Sequence, residues 1–247
     1  MPDQTLGEAL AITIETARAA ERELFGGLDR DAIERPIRSG DWNPKDFQAH
    51  LTAWKDRHAE RLARIREALE PLARLEGQEE DEINAELRAT RLDWSWDALV
   101  AEADAVAARL AGELRQADPD VLRGPDRLVD LTFGNGLLHT MSHIRWLLEA
   151  GIELDGSRVA QYEADSLRLV EAPALPERNR AAETYNLACH HALRGSLDIA
   201  RRLLRDAFGT DPELLAFSRT DPDLEALRGE LDELGGIAEG DGAQAGT

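Results

Sequence analysis

Cysteine is nearly absent from this sequence: Cys189 is the single one in 247 residues, which excludes an intramolecular disulfide. Lysine is almost as scarce, with Lys45 and Lys55 alone among 29 basic residues, and 49 acids leave a formal net charge of −20. A surface so acidic repels phosphate backbones and anionic lipid, which argues against nucleic-acid or membrane binding through bulk charge. No stretch approaches the roughly 20 apolar residues of a membrane span, and no amino-terminal apolar run resembles a signal peptide. The expected location is cytoplasmic.

What is present is an apolar fraction of 43%, enough for a sizeable core, laid out at helical spacing. A first helix is expected over residues 4–26, where Leu6, Leu10, Ile14, Ala17 and Leu24 form a stripe and Gly26-Gly27 ends it. Asp41-Trp42-Asn43-Pro44-Lys45-Asp46 then carries a helix start, with Asn43 as cap, Pro44 at the first helical position and Asp46 at the positive end. Along this second helix Phe47, His50, Leu51, Trp54, Leu62, Ile65 and Leu69 share the inward spacing. A polar loop follows, marked by Pro71, Gly77 and the acidic run Glu79 to Glu82, and leads into a short helix through Ile83 and Leu87. A third long helix is expected from Asp93 to Gln116, broken by Asp118-Pro119. Gly124-Pro125 and Gly134-Asn135-Gly136 make the approach to the last helix irregular.

That last helix carries His139 and His143. Four residues are about one helical turn, so the two imidazoles stack on one face at the spacing of a bidentate metal ligand. The flanking Leu137, Leu138, Met141, Ile144, Leu147 and Leu148 bury the segment, and Gly151 supplies a stop. His50, inward on the second helix, is the natural third ligand. His58 lies eight residues beyond His50, roughly 80° around the helix, and reads as a solvent-facing or flank residue. Arg57 and Arg61 lie nearer the His50 line. Asp46 and Asn135, each one turn before a candidate ligand, are the possible supporting groups. Four long amphipathic helices with polar exceptions pointing inward describe an all-α, up-down four-helix bundle, a fold that builds metal sites between facing helices.

The order Trp42, His50-Leu51, Trp54, then Asp81-Glu82-Ile83-Asn84-Ala85, Trp94-Ser95-Trp96, and finally His139 and His143 resembles the DinB-like superfamily, in particular its ClbS/DfsB branch, over about residues 4–151. The resemblance implies a divalent metal on His50, His139 and His143. Members include thiol-dependent S-transferases and a colibactin-inactivating hydrolase, so it implies a fold and a site more firmly than a reaction. Three neutral imidazoles leave coordination positions open, as in a catalytic rather than a structural site, and accept zinc, nickel or iron alike.

The carboxy-terminal part differs in character. After a connection over 153–176 with helix-like content, Leu187-Ala188, His191, Gly195, Ala200, Leu204, Ala207 and Pro212 fall at tetratricopeptide-repeat spacing within a region of residues 177–234. His190 and His191, side by side in sequence, point to different faces and make a second metal site improbable. Residues 235–247, rich in Gly and Ala, read as a disordered tail. The expected function is a metal-dependent transferase or hydrolase acting on a small electrophile, with a low-molecular-weight thiol as possible cosubstrate. The alternative is a non-catalytic helical module that uses the repeat-like region to bind a protein partner or a second copy of itself.

Overall fold

Thr5 opens the first helix by accepting the backbone N–H of Glu8, and the chain then runs as helix with no β-strand among the described residues. The computed structural model describes residues 5–37, 42–70, 72, 80–125 and 127–236. The loop expected around Pro71 and Gly77, with Glu79 of the acidic run, and the tail from residue 237 lie outside these residues. The chain divides into two compact units at the boundary between Leu169 and Val170.

In the first unit α1 spans Leu6–Phe25, α2 Arg30–Glu34, α3 Pro44–Arg66, α4 Glu80–Ala89 and α5 Trp96–Gln116. Short α6 (Pro119–Leu122) and α7 (Leu128–Phe133) precede a π-helical turn over Gly134–Leu138, which runs directly into α8 (His139–Glu149), and α9 covers Gly156–Val170. The start of α3 forms as the sequence requires. Asn43 Oδ1 accepts the Asp46 N–H at 2.9 Å and Asp46 accepts the Asn43 N–H at 3.2 Å, a reciprocal cap ahead of Pro44. Gly151, at φ +72°, ends α8 in the left-handed conformation that glycine adopts without penalty, and Ile152 N–H reaches back to the Leu147 carbonyl.

Helices α1 and α3 both pack along α5, and the π turn and α8 pack on α1 and α3. Leu10, Ala11, Leu51, Leu99, Leu110, Leu114, Phe133 and Leu147 are all fully enclosed in this core. The approach to the histidine-bearing helix, expected from the sequence to be irregular, is a π turn that absorbs Gly134, Asn135 and Gly136 without leaving the helix. Gly136 lies close against the end of the Ile14 side chain of α1, which would have to shift to admit a Cβ. Residues 153–169, read from the sequence as part of a connection, lie in the first unit. Tyr162 on α9 is buried and donates its hydroxyl to the Leu137 carbonyl at 3.0 Å, and Arg158 donates to the Glu23 carbonyl.

In the second unit α10 (Glu177–Leu193) and α11 (Leu197–Thr210) form a helical hairpin, followed by α12 (Glu213–Ser218), a 3₁₀ segment over Pro222–Glu230 and α13 (Leu231–Leu234). Gly195, at φ +76°, makes the turn, and small Ala188, Ala200 and Ala207 are fully enclosed where α10 and α11 meet. Tyr185 donates to Asp221 at 2.6 Å, tying α10 to the 3₁₀ segment.

Two glycines of the α1–α5 pair separate close approach from helix propensity. A Cβ at Gly7 would run into the Leu114 carbonyl oxygen, whereas nothing lies near one at Gly112. Gly7→Ala is therefore expected to lower stability by about 1–3 kcal/mol, the cost of overpacking, even though alanine is the better helix former. Gly112→Ala should raise it by about 0.5–1 kcal/mol. Urea midpoints followed by circular dichroism check both signs.

Candidate metal centre

Two helices supply the three histidines singled out by the sequence. His50 stands inward on α3, and His139 and His143 follow one another by one turn at the start of α8. His50 Nε2 and His139 Nε2 lie 2.9 Å apart, the rings of His139 and His143 stack with centroids at 4.8 Å, and one nitrogen from each ring falls within 4.8 Å of the others. Tetrahedral zinc with nitrogens at about 2.0–2.1 Å holds its ligand atoms about 3.3 Å apart; the His50–His139 pair is already near that spacing, and the group as a whole is close enough to hold an ion once the rings draw in. His50 and His143 are buried, and His139 is the half-exposed member, so the cluster meets solvent on the His139 side.

Aromatic rings wall the other sides. Phe47 lies 4.0 Å from His143, Trp146 4.9 Å from His143, and Trp42 and Trp54 meet His50 edge-on at 5.3 and 6.4 Å, all between ring centroids. Phe47, Leu51, Leu147, Phe25 and Ile152 form the apolar cluster on which Trp42 and Trp146 rest. Such surroundings disfavour a charged imidazole. Burial, reinforced by His139, pushes His50 down to about 3, and burial with the nearby Lys55 pushes His139 down to about 4 against the opposing pull of Glu21. Both rings are thus neutral at pH 7, the form that offers a lone pair to a metal. The Nδ1 of His50 is buried with no hydrogen-bond partner among the described residues, so that ring is engaged only through the atom it turns toward His139.

The candidate supporting groups have other work. Asp46 caps α3 and pairs with Arg88 of α4 at 2.7 Å, and Arg88 in turn lies over the Trp42 ring at 5.2 Å. Asn84 of α4 accepts the Trp54 indole N–H at 3.2 Å. These contacts hold α4 beside two of the tryptophans that edge His50. Asn135 falls within the π turn, and Arg57 and Arg61 occupy half-buried positions on α3.

His58 departs from expectation. It is 1% exposed, because α7 covers the flank of α3 on which it stands. Its Nε2 lies 2.9 Å from Thr132 Oγ1, and the Thr132 hydroxyl is already donated to the Leu128 carbonyl at 2.7 Å. His58 must therefore donate from Nε2, which leaves Nδ1 as an enclosed acceptor with no partner among the described residues.

A buried polar cluster that sequence reasoning did not single out adjoins the histidines. Glu21 on α1 is 0% exposed and accepts from Lys55 of α3, from Thr140 of α8 at 2.5 Å and from Arg18 at 3.4 Å. Arg18 also donates to Asp104 at 2.8 Å and to the Val100 carbonyl of α5 at 3.1 Å. Burial alone would raise the Glu21 carboxyl, but Lys55 and Arg18 bring it below its ordinary range, so it is ionised.

In the second unit Cys189, Asp221 and Asp223 also lie close together. Burial, with Asp221 and Asp223, pushes the Cys189 thiol well up, so it is not a thiolate, and Asp221 is already committed to Tyr185 and to capping the 3₁₀ segment. His190 and His191 are buried with ring centroids 5.4 Å apart. No family model, curated protein or solved structure matches the chain.

The buried state of His58 has a measurable pH signature. A histidine near 6.5 when unfolded and near 3 when folded binds its proton in the unfolded chain first, so its stability contribution is intact above about pH 6.5 and is lost as pH falls toward 3. His58→Leu removes that loss. Relative to wild type, the variant should gain about 2 kcal/mol between pH 7 and pH 5, read as the difference in urea midpoints. An unchanged difference across that range would mean that His58 is accessible to protons in the folded chain.

Proposed function

We propose that the first unit is an up-down four-helix bundle of the DinB-like type, in its ClbS/DfsB branch, and that it is a metal-dependent transferase or hydrolase acting on a small electrophile. The observation that carries this reading is the convergence of His50, His139 and His143, three imidazoles from two helices with donor atoms within 4.8 Å of one another. A divalent ion such as zinc, nickel or iron would supply Lewis acidity there and lower the pKa of a water or thiol brought to it.

The chain's own residues do the rest. Phe47, Trp42, Trp54 and Trp146 pack against the rings of His50 and His143, and His139, the one member of the three that is only partly buried, marks the side from which a substrate would approach. Desolvation keeps His50 and His139 unprotonated, so neither acts as a general acid at neutral pH. The second unit, on this reading, is a tetratricopeptide-like hairpin for a protein partner.

Protein purified without a histidine tag should contain about one divalent ion per chain by elemental mass spectrometry. His50→Ala, His139→Ala and His143→Ala should each remove most of it, with helical circular dichroism retained. A folded wild type that is metal-free and takes up neither zinc, nickel nor iron(II) would sink the reading.

A further inference from the structure

Glu21 Oε1 is a single atom that receives a donor from each of the two histidine-bearing helices. Lys55, five residues beyond His50 on α3, donates to it, and so does Thr140, the residue after His139 on α8. The other oxygen, Oε2, is held by Arg18, which is itself anchored to Asp104 and the Val100 carbonyl on α5. The carboxylate cannot drift, because it is fully enclosed and three helices besides its own define its position.

Helix α8 has particular need of such a tether. It continues from a π turn, and the residues that bury it, Met141, Ile144 and Leu147, pack by apolar contact, which is non-directional. A rotation of α8 about its axis would carry His139 and His143 away from His50 together. The bond from Thr140 to Glu21 opposes that rotation one residue from His139.

We propose that Glu21 is a positioning residue for the histidine site: through Thr140 and Lys55 it sets the rotation of α8 against α3 and so the separation of His139 and His143 from His50. This rests on the reading that the three histidines bind a metal. Glu21 touches neither metal nor substrate. It acts through the helices that carry the ligands, as the groups behind metal ligands do elsewhere.

Thr140→Val tests it, since valine keeps the shape, removes the hydroxyl and leaves Glu21 paired with Lys55 and Arg18. Zinc affinity, measured by competition with a chromogenic chelator, should fall at least tenfold, and the visible absorption bands of the cobalt(II)-loaded protein should shift. Thr140→Ser should restore both to within about threefold of wild type; the metal-free Thr140→Val protein should melt somewhat lower, as loss of a buried hydrogen bond dictates, but keep its helical circular dichroism, and the shifted cobalt bands are the readout that a loss of stability alone does not move. His139→Ala, run alongside, should abolish binding. If Thr140→Val binds zinc within threefold of wild type with an unchanged cobalt spectrum, while His139→Ala abolishes binding, the metal site stands and the positioning role is overturned. If folded wild type binds neither ion, the metal reading fails and the positioning role falls with it.

Discussion

A carboxylate closed off from water must be answered by donors at fixed distances, and the first unit is arranged around one such group. Glu21 is ionised and fully enclosed, and its partners come from its own helix and from two others, with a further link through Arg18 to a fourth. Apolar packing holds these helices together but is non-directional, and it leaves their axial rotations loosely specified. Charge-assisted hydrogen bonds are directional, and in a low-dielectric interior the penalty for misaligning one is large. Replacing such a cluster with apolar side chains is often neutral or stabilising, so its presence here is better explained by geometry than by stability.

The same logic runs along α3. His50, Lys55 and His58 are all buried on this helix, and each is met from a facing element: His139 of α8, Glu21 of α1 and Thr132 of α7. The helix therefore buries polar groups at three levels and in different directions, and the histidine cluster is the level with a partly exposed member. At the other two levels the Lys55 ammonium and the Nε2 of His58 find partners within the protein, while the Nδ1 of His58 is enclosed without one among the described residues. At the histidine level two nitrogen lone-pair atoms face each other across 2.9 Å, an arrangement satisfied by one shared proton or by a cation between them.

Local rules made much of this legible. Asn43, Pro44 and Asp46 gave the start of α3, glycine at 151 and 195 marked real helix ends, and the spacing of His139 and His143 with an inward His50 named the three residues that the fold brings together. What escaped was whatever depends on a neighbour. The angular argument for His58 is sound as far as it goes, but a flank becomes interior when another helix covers it, and only the path of α7 decides that. Arg18, Glu21 and Lys55 carry the charges of surface residues in a chain with 78 such side chains, and nothing local distinguishes the few that are buried. The π turn was hidden for a related reason: Gly134 and Gly136 signal irregularity by composition, but not that the irregularity is one extra residue within a continuous helix, at a point where Gly136 lies against Ile14. Residues 153–169 look like a connection between glycine and proline punctuation, and it is the buried Tyr162 that places them in the first unit.

The burial that makes the histidine cluster inhospitable to protons does not count equally against a metal. Protonating His50 or His139 places a charge in a site walled by tryptophan and phenylalanine, with His139 also in the field of Lys55, and nothing in the ring compensates for lost hydration. A divalent ion would bring its charge to the same place but would exchange water for nitrogen lone pairs, which offsets the desolvation directly. Glu21 moderates the balance from one side, since its ionised carboxylate offsets the positive field of Lys55 felt at His139. On the proposed reading, apolar walls, neutral imidazoles and one enclosed carboxylate act together: they exclude the proton, which competes for the same lone pairs, while leaving those lone pairs free for a metal.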